Sequence, residues 1–147
     1  MKTLFVTLLV MMLVGCSDPL ILLPGGLLSG ETRAAPVKWA DVPETIQVET
    51  RPSDPYSINI WGVGIGENLY IATGSDGTKW TDFIAANSNV RVRFDTSVYE
   101  LVASRVDDEA ELEAVGSAYI TKYDLDREDN WVLDSMIFRL DRRERSR

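Results

Sequence analysis

No histidine occurs in this chain of 147 residues. That absence excludes imidazole acid–base chemistry, a Ser-His-acid triad, a Cys-His pair and histidine-ligated metal. Cysteine is nearly absent as well: Cys16 stands alone, so no intrachain disulfide can form. Positive charge is in deficit, with 15 Lys and Arg against 23 Asp and Glu and a net charge of -8, which argues against nonspecific nucleic-acid binding. Chemistry is left to carboxylates, hydroxyls, Lys, Arg, four Trp and five Tyr, or to a bound organic cofactor.

The first sixteen residues carry an export pattern. Lys2 precedes an apolar run from Leu4 to Val14, followed by Gly15 and Cys16. The run is too short to span a bilayer. Leu13-Val14-Gly15-Cys16 resembles a bacterial lipobox, which implies cleavage before Cys16 and lipid on its thiol and amine. An acylated Cys16 offers no thiol nucleophile. The other reading is a plain export signal with an incidental cysteine. Ser17 after the cysteine, in place of Asp, resembles the outer-membrane sorting pattern, so the expected location is the periplasmic face of the outer membrane. Removal of 15 residues leaves 132 and a net charge of -9, enough chain for one domain.

The expected organisation is a signal peptide at 1–15, a lipidated tether at 16–37, one domain at 38–141 and a basic tail at 142–147. From Ser17 to Pro36, Pro and Gly recur without periodicity, as in a linker. Leu20, Ile21, Leu22, Leu23, Leu27 and Leu28 are too apolar for free solvent, so part of the tether should dock on the domain or at the lipid surface. Alternating patterns predict strands at Ile46–Glu49, Tyr56–Trp61, Leu69–Thr73, Val90–Phe94, Val98–Val106 and Met136–Leu140. Trp80, Phe83 and Ile84, behind an Asp76 or Thr78 cap, predict a helix of about three turns before Asn89. Asp107-Asp108-Glu109 opens a second helix whose Leu112, Val115, Tyr119 and Tyr123 share one face. The class is α+β, mostly antiparallel β.

Gly62-x-Gly64-x-Gly66 departs from the dinucleotide fingerprint, because Glu67 stands where the third glycine belongs and a strand follows. It reads as a hairpin turn. Asp124, Asp126 and Glu128 imitate the start of a calcium loop, but Asp129 replaces the required Gly and Ser135 the bidentate Glu, so no metal site is assigned. Arg91 and Arg93 share a strand face, where two readings stay open: a clasp for phosphate, or a wet face paired with acids. Trp61, Trp80, Tyr56 and Tyr70 either line a flat pocket or fill the core. The Arg-rich end from Arg142 to Arg147 either meets anionic lipid or stays in solvent.

Several of these segments, taken in order, are similar to a known family. Glu49-Thr50-Arg51, Ile60-Trp61, Leu69-Tyr70-Ile71-Ala72, Gly77-Thr78-Lys79-Trp80, Asn89-Val90-Arg91-Val92-Arg93, Tyr119-Ile120-Thr121-Lys122-Tyr123 and Phe138-Arg139-Leu140 resemble the nitroreductase and pyridoxamine-phosphate-oxidase-like proteins. The resemblance implies a six-stranded split β-barrel with two helices, a homodimer, and a flavin such as FMN near the dimer interface. It puts Arg51, Lys79 and Arg91 at the phosphate and Trp61, Thr73 and Trp80 along the ring. Two functions follow: a lipid-anchored barrel that binds a flavin-like or other small molecule, or a non-catalytic envelope interaction module without a cofactor.

Overall fold

The computed structural model describes residues 23–127, 131 and 134–143. Cys16, the segment read as an export signal and the last four residues lie outside them. The elements in chain order are β1 (Glu31–Arg33), β2 (Thr45–Thr50), β3 (Tyr56–Ile65), β4 (Asn68–Gly74), α1 (Lys79–Ala86), β5 (Asn89–Phe94), β6 (Ser97–Arg105), α2 (Glu109–Tyr123) and β7 (Ser135–Arg142).

Six antiparallel strands run in the order β2, β3, β4, β7, β6, β5 and close where β5 pairs with β2. Closure leaves no unpaired edge within the ring. The alternation along each strand decides which face looks inward. Val48 lies opposite Val92, and both are fully buried, while Glu49 lies opposite Arg91 on the outer face. Ile46, Leu69, Ile71, Val90, Leu101 and Leu140 join Val48 and Val92 to fill the interior. A second apolar layer outside the barrel gathers Val63, Tyr70, Val106 and Ile137 beneath Val115 and Tyr119 of α2. This is the split-barrel architecture with two helices, plus one strand more.

That extra strand is β1, which pairs in parallel with the start of β6. It belongs to the segment read as a tether, where Glu31-Thr32-Arg33 carries no strand pattern. From Gly25 to Arg33 the chain forms a strap across the outside of the barrel. Gly25 exchanges backbone hydrogen bonds with Ser57 at 2.8 and 2.9 Å, and Glu31 donates to the Thr96 carbonyl at 2.8 Å. Leu28 is buried midway.

Two other departures have local causes. The strand expected to stop at Trp61 continues to Ile65, so the hairpin turn is only Gly66-Glu67, with Gly66 at φ +57. Gly62 and Gly64 lie within the paired strand, where a side chain would collide with neighbours. A Cβ on Gly64 would stand 2.0 Å from the Trp39 carbonyl oxygen, and one on Gly62 would stand 2.7 Å from the end of Ile46. Helix α1 has 8 residues, about two turns, because Asn87 takes extended backbone ahead of β5. The Thr81 hydroxyl accepts from the Thr78 N–H at 2.9 Å and donates to the Thr78 carbonyl at 2.7 Å, which fixes the start of α1. Helix α2 begins at Asp108, whose side chain accepts from the Glu111 N–H at 2.9 Å, and ends at Asp124 in the left-handed region.

Candidate functional site

Where β4 ends and β7 begins, below the carboxyl end of α2, lies an open cavity of about 350 Å³. Ala72, Thr73 and Gly74 form one side, Tyr119 and Leu125 the roof, and Trp61, Trp131 and Ser135 the rest, with Asp126 at the rim. Its wall is mainly apolar and aromatic, with the few polar groups that orient a small molecule. Trp61 is 49% exposed, which a barrel surface does not need from so large a ring. One of its faces lies against Tyr123, centroids 4.4 Å apart and planes within 8°. Tyr119 stacks on Tyr123 at 5.6 Å and meets Trp131 edge-on at 5.1 Å, so four aromatic rings run in series from the barrel wall to the cavity.

Hydrogen bonds hold that series in place. Tyr119 donates its hydroxyl to the Trp61 carbonyl at 3.1 Å. The Tyr123 hydroxyl accepts from the Gly62 N–H at 3.0 Å and faces the Glu44 carbonyl at 2.7 Å. Lys122 donates to the carbonyls of Val42, Pro43 and Gly62 at 2.8, 2.8 and 2.6 Å, which pins α2 to β3 and to the segment before β2. Burial pushes the Lys122 pKa down and those of Tyr119 and Tyr123 up. Tyr70, behind the cavity wall, is pushed up to about 12, first by burial and then by its 2.8 Å hydrogen bond to Glu111. These phenols therefore stay protonated near neutrality and act as fixed donors.

The six ring and phosphate candidates separate. Trp61 and Thr73 meet at the cavity. Trp80 is buried in the barrel core, edge-on to Phe138 at 5.6 Å. Lys79 is exposed on the first turn of α1. Arg51 pairs with the Asp54 carboxylate at 2.8 Å, donates to its carbonyl at 2.6 Å and lies 4.2 Å over the Phe83 ring. Arg91 bonds both oxygens of the buried Glu49 carboxylate at 3.0 and 3.1 Å and donates to the Leu28 carbonyl at 3.2 Å. Arg93 donates to the Ser29 carbonyl at 3.1 Å. Arg91 and Arg93 do share a face, and there they grip the strap.

Sequence reasoning placed Tyr119 and Tyr123 on the buried stripe of α2 but did not assign them to a site. The available signal was their spacing of four residues, which stacks two rings on one helix face. Trp131 had no signal beyond its residue type.

The fold recurs among solved structures. A conserved hypothetical protein of Mycobacterium tuberculosis superposes with a TM-score of 0.57 at 18% identity, covering 69% of this chain and 74% of that one. A FAD-binding protein of Mesorhizobium loti does so at 0.54 and 13% identity, covering 70% and 83%. A candidate pyridoxamine 5'-phosphate oxidase of Listeria innocua gives 0.53 and 17%, covering 67% and 82%. No family model matches the sequence, and no curated protein matches it. At such low identities the likeness is one of fold, and the fold is the split β-barrel of the pyridoxamine-phosphate-oxidase-like proteins.

Proposed function

We propose that this protein is a lipid-anchored envelope lipoprotein whose barrel binds a flat small molecule of the flavin-ring class against Trp61. The observation that carries the reading is the half-exposed Trp61, held on Tyr123 at the mouth of a cavity lined by Thr73, Tyr119 and Trp131. A ring system sliding into that cavity stacks on aromatic faces and finds the Thr73 hydroxyl as a polar contact. The fold is shared with a FAD-binding protein, which supports a ring of this kind. A bound flavin would supply redox reactivity; this chain's part is to hold and orient the ring. Anchoring rests on the lipobox-like Leu13-Val14-Gly15-Cys16, and the seven residue steps from Cys16 to Leu23 reach at most about 25 Å, which keeps the barrel beside the bilayer.

A second reading, an envelope interaction module without a cofactor, draws on one observation. Arg51 and Arg91, two of the residues expected at the phosphate, are engaged with Asp54 and Glu49. Adding riboflavin to the purified chain while following Trp fluorescence separates the two. Saturable quenching supports the first reading, and its absence supports the second. The anchor is tested separately: Cys16→Ala should move the protein from the membrane to the soluble fraction, and unchanged fractionation would remove Cys16 as the attachment point.

A further inference from the structure

The resemblance puts a phosphate-bearing flavin in this barrel, with Arg51, Lys79 and Arg91 on the phosphate. Only the ring half of that ligand fits the residues present. Among the described residues lining the cavity there is no Lys or Arg. We infer that the cavity selects a flat ring ligand that carries no phosphate, so that riboflavin is preferred to FMN. This deepens the reading above and rests on it.

The arginines are committed elsewhere, each for a structural reason. Arg91 neutralises Glu49, a carboxylate only 3% exposed, and turning Arg91 toward a ligand would leave that buried charge without its cation. The remaining edge of the Arg91 guanidinium meets the Leu28 carbonyl, and Arg93 meets the Ser29 carbonyl. The strap thus presents peptide oxygens to the donors that would otherwise take phosphate oxygens. Arg51 is held from two sides, by the Asp54 carboxylate and by the Phe83 ring, on a residue whose own backbone is left-handed at φ +55. Lys79 is the exposed cation of the three, and it lies outside the cavity. The chain as a whole carries -8, which opposes the approach of a phosphomonoester dianion. Together these leave the described lining of the cavity without a cation for a phosphate, in a chain of net negative charge.

The experiment is a pair of titrations of the full purified chain, with riboflavin and with FMN, read by Trp fluorescence at low salt. The expected result is an FMN Kd larger than that of riboflavin, with Lys79→Ala leaving the ratio unchanged within about twofold, under 0.5 kcal/mol. An FMN Kd equal to or smaller than that of riboflavin, or an FMN affinity that falls with Lys79→Ala while that for riboflavin holds, overturns the inference and leaves the ring-binding reading standing. Absence of quenching by either flavin overturns both.

Discussion

Arg91 and Glu49 face each other across β5 and β2 at the point where the chain's own Leu28 crosses them. The carboxylate accepts from the Arg91 guanidinium at 3.0 Å and from the Leu28 N–H at 2.5 Å, while the guanidinium donates to the Leu28 carbonyl at 3.2 Å. Three chain segments are thereby joined by one charge pair whose carboxylate is buried. Removing one partner of such a pair costs about 3 to 5 kcal/mol. Arg91→Ala is therefore expected to lower stability by about 3 kcal/mol and Tm by roughly 10 °C. The double change Arg91→Met with Glu49→Leu should recover only part of this, because removing Glu49 takes the acceptor from the Leu28 amide, at about 1 to 2 kcal/mol. Thermal denaturation checks both, and a Tm unchanged by Arg91→Ala would mean that the strap is not held this way in solution.

Gly64 is expected to be intolerant for a reason unrelated to ligand binding. Its missing Cβ leaves room for the Trp39 carbonyl, and Trp39 packs edge-on against Phe94 at 5.5 Å and Tyr99 at 5.2 Å. Gly64→Ala must displace that segment, at about 3 kcal/mol by the usual cost of overpacking. Gly66→Ala meets open space and suffers only its left-handed backbone, at about 1 kcal/mol. Urea denaturation of the two variants should therefore rank Gly64→Ala well below Gly66→Ala, and equal losses would remove the close approach of Trp39 as the cause.

The barrel was legible because its strands alternate cleanly: Ile46 and Val48 in, Gln47 and Glu49 out, and likewise Val90 and Val92 against Arg91 and Arg93. Both helices were legible from their caps and apolar stripes. The strap was not, because Leu28 and Ser29 are held by long-range contacts to Glu49, Arg91 and Arg93 that no local pattern encodes. For the same reason the phosphate clasp and the acid-paired face could not be separated. The partner of Arg91 lies 42 positions away on β2. At the cavity, Trp61 announced itself as a large ring on a strand, whereas the closeness of Trp131 and Thr73 follows from pairing β4 with β7.

High pH should loosen the fold. Tyr70, Tyr119 and Tyr123 all have raised pKa values, each chiefly through burial, with Tyr70 near 12 against an ordinary value of 10.0. Above about pH 10 the unfolded chain gives up phenolic protons that the folded chain retains, so the stability these groups contribute is complete below that pH and declines above it. Lys122 acts in the opposite direction, since burial lowers its pKa and the folded chain is relieved as that proton leaves. Three phenols outweigh one ammonium. Tm is expected to fall steadily from about pH 10 to about pH 12, and a flat profile over that interval would count against the buried hydroxyls.

Trp61 tests the cavity most directly, because its exposure separates its effect on stability from its effect on binding. About half of its surface is in solvent, and its main contact is the Tyr123 ring, so Trp61→Ala should cost only about 1 kcal/mol of stability. A ring ligand stacked there loses an aromatic platform, worth about 1.4 kcal/mol or more, which is a tenfold rise in Kd. Trp61→Phe keeps a flat face and should retain most of the affinity. Trp80→Ala is the control with the opposite profile: it empties a core position, costs about 3 to 5 kcal/mol and reaches the ligand only through unfolding. Equal riboflavin affinity for Trp61→Ala and the parent chain would move the binding site away from this cavity.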